Sequence, residues 1–379
     1  MAIQQQNNFN ILRLIAASMV VFSHAFQLTL LNEYMDPLGI WTKANTSMGI
    51  FAVWVFFIIS GYLIAQSWLQ EPDYRLYLGK RFLRIFPALI VVVVLLVFVF
   101  GPIWTNLPLN KYFSNSGTWA YFSNILLFPQ FMQVKQLPGV FLTHSILTVD
   151  APLWTLPFEF SMYLVLMFVF LEVKRLKENY RKIFMIFGIF FALGVLCFYI
   201  THPILFGSGV DWFFQEFLTL GAFFFSGSLC YIFKNKIVYQ KKIFLISTLL
   251  LLLTYIFLAK DFIFFRLGNI ILLPYIILYI ALKSPNFGTW ITKHGDWSYG
   301  IYIIGWVVEQ TLVGNTLFKH NPILLFIIAY PITLLLARFS WKYIEKPSLA
   351  KKNDLRNWIQ KHRRPYAVMK VDLKKGTET

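Results

Sequence analysis

Long stretches without a single charged residue are the feature that most constrains how this chain can fold. Two clear examples are Ile85 to Phe100 and Ile243 to Ala259. A helix of roughly 20 apolar residues is long enough to cross a hydrocarbon core about 30 Å thick. The stretches therefore predict membrane-spanning helices.

The composition agrees with this prediction. Hydrophobic residues make up 58% of the chain and charged residues only 13%, whereas about a quarter of the residues in a soluble domain are charged. We predict an all-α, polytopic membrane protein with about ten transmembrane helices. The predicted spans are residues 9–31, 48–68, 85–104, 153–172, 183–201, 213–233, 243–259, 262–282, 298–315 and 322–341.

The formal charge of +17 could suggest binding to nucleic acid, since clustered Lys and Arg attract phosphate. The placement of the charges argues against this. When the loops are assigned alternately to two sides, all but six of the 34 Lys and Arg fall on one side, and those six are Lys43, Lys111, Lys135, Lys260, Arg266 and Lys319. Such a bias marks the positive side as cytoplasmic. We expect both termini in the cytoplasm, a multi-pass protein of the inner (plasma) membrane, membrane lipids as partners and no nucleic acid.

Two segments lie outside this pattern of spans and short loops. Residues 1–347 are predicted to form the transmembrane domain, and residues 348–379 a basic cytoplasmic tail that touches anionic lipid headgroups. The external segment from Thr105 to Ala151 is far longer than the other outer connections. Because long loops in compact proteins tend to be functional or disordered, we expect a lid or a substrate-binding element there.

The first span carries two ionisable residues, Arg13 and His24. Eleven helical steps return to nearly the same azimuth with an axial rise of about 16 Å, so the two side chains share a face. An ionisable group at membrane depth costs roughly 2.5 to 3.5 kcal/mol on insertion scales, so such residues usually face a polar interior. Arg13 could instead snorkel to the headgroups, and His24 could be a structural histidine. A neutral imidazole also suits a general base.

Three further residues are candidates for the site. Glu159 lies about 9 Å in from the outer surface, at a depth comparable to that of His24. Its carboxylate could orient the imidazole, as the third member of a triad does, or pack against another polar group. Arg81 and Arg84 share a helical face and suit bidentate contact with phosphate, although a positive-inside loop explains them without any ligand. No histidine has the spacing of a zinc site, so we expect no metal.

Four stretches, in this order and spacing, resemble the membrane acyltransferase-3 family. They are Asn10 to His24, Phe56 to Ile64, Arg81 to Pro87 and Leu153 to Glu159, with later echoes at Ser298 to Tyr302 and Ile344 to Pro347. The resemblance covers Asn10 to about Pro347. It implies O-acylation of extracytoplasmic glycans, with acyl-CoA, usually acetyl-CoA, as the cytoplasmic donor and a sugar hydroxyl as the acceptor.

The resemblance also assigns roles to residues. His24 is similar to the essential histidine and Arg13 to its partner arginine, close to the donor. Arg81 and Arg84 resemble the basic donor-binding pair, and Glu159 the polar residue of the fourth span. The chain departs from the family at two places. Asn10 stands where the family often has an aspartate, which removes a possible ionic partner for Arg13, and Gly305-Trp306 stands where many members have another histidine.

Together these observations predict an acyl-CoA-dependent O-acyltransferase acting on a polymeric or lipid-linked saccharide. His24 would deprotonate the acceptor hydroxyl or carry the acyl group as a covalent relay, and acetyl and succinyl donors both fit. One alternative is a proton-coupled transporter of a small solute or glycan precursor, in which Arg13, His24 and Glu159 would form the pathway. Another is a non-catalytic membrane scaffold in which these polar residues satisfy one another.

Overall fold

The computed structural model describes residues 7–30, 35–129, 132–205, 208–287 and 295–362. These ranges contain helices and connecting segments but no β-strand. Eight of the helices within them are long and apolar enough to cross a membrane. The prediction of an all-α, polytopic membrane protein is confirmed.

We number the longer helices in chain order. They are α1 (Phe9–Thr29), α2 (Met48–Gln70), α3 (Tyr74–Leu95), α4 (Leu156–Leu176), α5 (Tyr180–Leu205), α6 (Ser208–Ile232), α7 (Lys241–Phe257), α8 (Phe262–Leu282), α9 (Ser298–Val313), α10 (Pro322–Ser340) and α11 (Lys352–Lys361). Short α-helices cover Pro37–Trp41, Leu109–Ser114 and Ser116–Ala120, and 3₁₀ turns cover Tyr121–Leu126, Ala151–Thr155 and Thr316–Phe318. Through π-helical turns at Leu96–Phe100 and Trp341–Glu345, α3 continues into Gly101–Trp104 and α10 into Lys346–Ala350.

Each predicted span corresponds to one of the helices α1 to α10. The shortest are α7 and α9, with 17 and 16 residues, which is close to the lower limit for crossing a bilayer. We call the end of the bundle at which α1, α3 and α9 begin the inner end, because the charge bias predicts that this end faces the cytoplasm. The opposite end is the outer end.

The basic segment before the third predicted span, from Arg75 to Arg84, is helical and continues directly into that span. The side chain of Asp73 caps the N-terminus of α3 by accepting from the backbone N–H groups of Arg75 and Leu76, which stabilises the first turn. Basic residues are kept out of the hydrocarbon but are good helix formers. The helix therefore extends beyond the hydrophobic stretch and carries Arg81 and Arg84 at its inner end.

Helices α2 and α6 pack backbone against backbone. A Cβ added to Gly61 would lie 1.9 Å from the carbonyl oxygen of Phe224, and one added to Gly227 would lie 2.1 Å from that of Ile58. The hydroxyl of Ser228 donates to the carbonyl of Gly61 at 3.1 Å. Small residues allow such close approach between membrane helices, so Gly61 has a packing role.

The outward faces of α5 and α7 are apolar. Ile189 and Phe190 on α5, and Leu249 and Ile256 on α7, are each more than half exposed. A large exposed apolar surface on a protein marks a contact with other molecules or with a membrane. On helices of this length and hydropathy, such a surface fits contact with lipid chains. The opposite faces of α5 and α7 then line the interior of the bundle.

Both segments outside the main bundle pack against it, the external one through the hydroxyl of Tyr112, which donates to the carbonyl of Val97 at 3.0 Å. The external segment includes the buried Asn124, whose amide donates to the carbonyl of Val134 at 2.9 Å and accepts from its N–H at 3.1 Å. At the inner end α11, within the predicted tail, packs against α3. Contact with lipid headgroups stays a prediction for the tail, of which Arg363 and Arg364 lie outside the described residues.

Candidate active site

Two cavities within the described ranges approach each other in the middle of the bundle. The outer cavity has a volume of about 400 Å³ and the inner cavity a volume of about 660 Å³. Val53 of α2 and Tyr302 of α9 line both of them. The cavities therefore share a wall, and groups entering from opposite ends of the bundle could meet there.

His24 lines the outer cavity. Its ring lies edge-on to that of Trp306, with centroids 4.9 Å apart and planes at 88°. The indole N–H of Trp306 donates to the carbonyl of Thr148 at 3.0 Å, which ties the external segment to α9. The imidazole Nδ1 is buried without a hydrogen-bond partner among the described residues. Trp306 stands where the acyltransferase-3 family often has a second histidine, and its ring packs against that of His24.

Polar contacts toward α2 and close packing against α9 fix the part of α1 that carries His24. The hydroxyl of Ser23 donates to Asp36 at 2.6 Å, and the same carboxylate accepts from the N–H groups of Gly39 at 2.9 Å and Met48 at 2.7 Å. On the other side, a Cβ added to Gly305 would lie 2.6 Å from Val21. The histidine is thus held on a helix braced by α2 and α9.

A second ionisable group lines the outer cavity, and sequence reasoning missed it. Asp150 is only 5% exposed, and neither carboxyl oxygen has a hydrogen-bond partner among the described residues. Burial raises the pKa of Asp150 well above its ordinary value. Buried polar groups are rarely left unpaired, so this carboxyl group is available to a ligand. The available signal was its position three residues before the Leu153–Glu159 motif.

Arg13 lines the inner cavity, on the opposite side of the shared wall from His24. Its Nη1 lies 3.2 Å from Oδ2 of Asp296, in the loop before α9. The asparagine at position 10 therefore does not leave Arg13 without an ionic partner, because Asp296 provides one. The structure places Arg13 and His24 in different cavities. This agrees with their positions on one face of α1 at different depths.

Asp296 also belongs to a larger ionic network. Its Oδ2 lies 2.8 Å from Nη2 of Arg84, and Nη1 of Arg84 lies 3.7 Å from Glu345, which follows α10. Burial alone would raise the pKa of Asp296, but Arg84, Arg13 and hydrogen bonds from Ser298 outweigh it and hold the pKa below its ordinary value. The network links the inner ends of α1, α3, α9 and α10.

The two arginines of the predicted donor-binding pair both line the inner cavity, but their surroundings differ. Arg84 is paired with two carboxylates. The guanidinium of Arg81 lies over the rings of Tyr77 and Tyr163, at 5.9 and 5.8 Å from their centroids. Its Nε has no hydrogen-bond partner, and no carboxylate in the described ranges pairs with it. Arg81 therefore has unused capacity to bind an anion.

Of the two alternatives predicted for Glu159, the structure shows the second, because its carboxylate contacts other polar groups and does not pair with His24. Glu159 lines the inner cavity, where Oε1 accepts from the hydroxyl of Ser60 at 3.3 Å and from that of Tyr163. Equal depth in the membrane does not fix the direction in which a side chain points. Tyr163, one turn further along α4, shares the face of Glu159 and takes its carboxylate.

The wall between the cavities contains one further hydrogen bond. The hydroxyl of Tyr302 lies 2.6 Å from that of Thr155, just before α4. Tyr302 lines both cavities and Thr155 lines the inner one. A substrate group that crosses from one cavity to the other would pass this pair.

Comparison with known proteins agrees with this arrangement. The profile of the family described as acyltransferase domain, acyltransferase 3, matches residues 6–339. The chain belongs to the acyltransferase-3 family. The predicted resemblance is thereby confirmed, and the chain is an O-acyltransferase of multi-pass membrane type.

Two curated relatives cover nearly all of this acyltransferase. An "O-acetyl transferase" of Shigella phage Sf6 is 28% identical over 358 residues, which are 92% of this chain and 97% of the relative. "Nodulation protein 10" of Rhizobium leguminosarum bv. viciae is 26% identical over 375 residues, 92% of this chain and 95% of the relative. No solved structure matches the chain. The family match ends before Glu345 and α11, although both contribute to the inner end of this acyltransferase.

Proposed function

We propose that this acyltransferase moves an acyl group, acetyl in the first place, from cytoplasmic acyl-CoA to a hydroxyl of an extracytoplasmic or lipid-linked saccharide at the inner (plasma) membrane. The observation that carries this proposal is the shared wall at Val53 and Tyr302. It separates a cavity rich in cations from a cavity that contains His24. A thioester and an alcohol could meet there without either substrate crossing the membrane completely.

The inner cavity suits a phosphorylated donor. Arg81 has free hydrogen-bonding capacity, and guanidinium groups bind phosphate by paired, charge-assisted hydrogen bonds. Arg13 and Arg84 add positive potential, while Asp296 holds both in place. With the nucleotide of acyl-CoA at the inner end, its thioester can extend along the cavity toward Tyr302.

The outer cavity suits an alcohol. We assign Asp150 to hydrogen-bond a saccharide hydroxyl, and His24 to take the proton of the reacting hydroxyl through Nε2, since Nδ1 is enclosed. The hydroxyl oxygen then attacks the thioester carbon, and the carbon–sulfur bond breaks. The departing thiolate receives the proton from the imidazolium, which leaves an O-acyl ester, free CoA and a neutral histidine ready for another cycle.

A covalent route uses the same residues. His24 would first attack the thioester, forming an acyl-imidazole and releasing CoA, and the hydroxyl would then take the acyl group from the ring. Acid quenching of a single turnover with [¹⁴C]acetyl-CoA separates the two routes. Label on the protein that disappears in His24→Ala supports the relay, and label found only on the glycan supports direct transfer.

The test of the proposed function uses the full chain in lipid nanodiscs. The donor is [¹⁴C]acetyl-CoA, and the acceptors are polysaccharide and lipid-linked glycan extracted from host cells that lack the chain. We expect one labelled ester per CoA released, and an acyl-transfer rate about 10²–10⁴-fold lower with His24→Ala. Release of CoA into water without labelled glycan would contradict the saccharide acceptor. Counterflow of intact glycan in proteoliposomes without label transfer would favour the transporter.

A further inference from the structure

The C-terminal helix α11 supplies part of the inner cavity wall. Lys352 and Arg356 on this helix both line the cavity, together with Lys80 and Arg81 of α3. Residues four apart on a helix lie on the same face, so the two cations of α11 point to the same side. A helix in the predicted lipid-touching tail therefore faces the candidate donor site.

Packing and an ion pair hold α11 in this position. Leu355 fills a notch at Gly79, where an added Cβ would lie only 2.2 Å from the leucine side chain. Nη2 of Arg356 lies 2.6 Å from Glu71, which also pairs with Lys80. Ile359, one turn after Leu355, is buried. Apolar contacts of Leu355 and Ile359 thus dock the helix on α3, and the ion pair between Arg356 and Glu71 adds to them.

The charges at this end of the cavity are not balanced. Glu71 is the carboxylate that pairs with Lys80 and Arg356, and hydrogen bonds from them lower its pKa despite burial. No carboxylate in the described ranges pairs with Lys352 or Arg81, and Nε atoms of both Arg81 and Arg356 lack hydrogen-bond partners. A phosphate monoester carries a charge of about −1.5 to −2 at neutral pH and offers three strong acceptor oxygens. The excess of donors and positive charge is the complement of such a group.

We propose that Lys352 and Arg356 of α11 bind the phosphates of the donor's nucleotide, so that the C-terminal helix completes the acyl-CoA site. This inference rests on the proposed function for the identity of the donor. It adds a binding element that lies beyond the region matched by the family. The pantetheine arm would then pass Arg81 and extend toward Tyr302, with the phosphates held between α3 and α11.

The test measures direct binding, which needs no acceptor and no turnover. Affinities of CoA, dephospho-CoA and pantetheine are compared for the wild type, Lys352→Gln and Arg356→Gln in nanodiscs of zwitterionic lipid. We expect each substitution to weaken CoA binding about tenfold and to leave pantetheine binding unchanged. Dephospho-CoA, which lacks the 3′-phosphate, identifies the phosphate that is bound. If the substitutions weaken dephospho-CoA binding as much as CoA binding, the cations contact the diphosphate. If they leave dephospho-CoA binding unchanged, the cations contact the 3′-phosphate.

Two matched variants separate binding from structure. Glu71→Gln removes the same ion pair but leaves both cations of α11 in place, so CoA should bind at least as tightly as in the wild type. Arg175→Gln removes a 75% exposed basic residue of α4 and should leave CoA affinity unchanged. If Glu71→Gln weakened CoA as much as Arg356→Gln does, or if Arg356→Gln weakened pantetheine equally, the role of Arg356 would be structural and the proposal would be wrong.

Anionic lipid is the other source of phosphate at this surface. If Arg356→Gln left CoA affinity within twofold of the wild type but reduced binding of phosphatidylglycerol, the cations of α11 would serve the membrane and the inference would be overturned. The proposed function fails separately. CoA binding that responds to Lys352 and Arg356, in a protein that never labels glycan, would contradict saccharide acylation and leave the nucleotide site intact.

Discussion

The two cavities differ in how their polar groups are satisfied. In the inner cavity, Arg13 and Arg84 have carboxylate partners within the protein, so its shape is held without a ligand. In the outer cavity, Nδ1 of His24 and both oxygens of Asp150 are buried without partners among the described residues. Leaving such groups unpaired costs about 1–3 kcal/mol each. Two arginines of the inner cavity are thus held in place without a ligand, whereas the carboxyl group of Asp150 in the outer cavity is left for a substrate to pair with.

The largest effect should come from the outer cavity. We expect His24→Ala to lower the rate of acyl transfer by about 10²–10⁴-fold, which is the contribution of a positioned general base. CoA affinity, measured by direct binding, should not change, because His24 does not line the inner cavity.

A histidine elsewhere at the outer end provides the control. His320 is exposed and has a positive φ of 59°, a conformation that asparagine tolerates. His320→Asn should therefore transfer acyl groups at the normal rate. Equal losses in the two histidine variants would point to a general effect on the membrane protein and would contradict a specific role for His24.

The second effect concerns the ionic network of the inner cavity. Asp296→Asn removes the carboxylate shared by Arg13 and Arg84 and leaves two partly buried cations uncompensated. We expect the free energy of unfolding to fall by about 3 kcal/mol, measured by thermal or denaturant unfolding in one detergent. Glu172→Gln, which breaks an exposed pair with Arg175, should cost no more than about 1 kcal/mol.

The pH dependence of this difference has a defined sign. The folded pKa of Asp296 is below its ordinary value, so its stabilising contribution is complete above the ordinary pKa of an aspartate. It is lost as the pH falls through the lower, folded pKa. The stability gap between the wild type and Asp296→Asn should persist at neutral pH and close only in acid. A gap that closed near neutral pH would contradict the ionic network.

Sequence reasoning found the reactive face of α1 because helical periodicity is a local property. Eleven residues bring Arg13 and His24 to one azimuth whatever surrounds them, and both line cavities. The membrane-spanning helices could be predicted equally well, since each depends on the length and hydropathy of one continuous segment. Family resemblance then added the chemistry.

Contacts between distant parts of the chain could not be predicted in this way. Asp296 and Arg13 are 283 residues apart, and the only hint was that Asp296 is the single acidic residue between Lys283 and Trp297. The partner of Glu159 could not be chosen from the sequence for the same reason. Its depth was close to that of His24, but azimuth and helix order, which one sequence does not reveal, turned it toward Tyr163.

Within the inner cavity, Arg81 and Arg84 should respond differently to the same substitution. Arg81→Gln removes a guanidinium without a carboxylate partner, so we expect CoA affinity to fall about tenfold with little change in unfolding temperature. Arg84→Gln disrupts contacts to Asp296 and Glu345 and should lower stability as well. Equal stability losses in the two variants would contradict the division between a binding and a structural arginine.

The smallest effect should come from Asp150, because the role proposed for it is to hydrogen-bond the substrate as a neutral group and not to take part in bond making. Since burial raises its pKa, the carboxyl group can donate as well as accept, and Asn keeps both capacities. We expect Asp150→Asn to raise the KM for the glycan about threefold and Asp150→Ala about tenfold, with kcat and CoA affinity unchanged.

Asp261 is a matched acidic control at the same end of the bundle. It is exposed and caps α8 by accepting from Phe264, a role that asparagine also fills, so Asp261→Asn should leave the KM for the glycan unchanged. A fall in kcat for Asp150→Asn at unchanged KM would place Asp150 at the reacting bond. The outer cavity would then contain a second catalytic group beside His24, and Asp150 would no longer be only a substrate-binding residue.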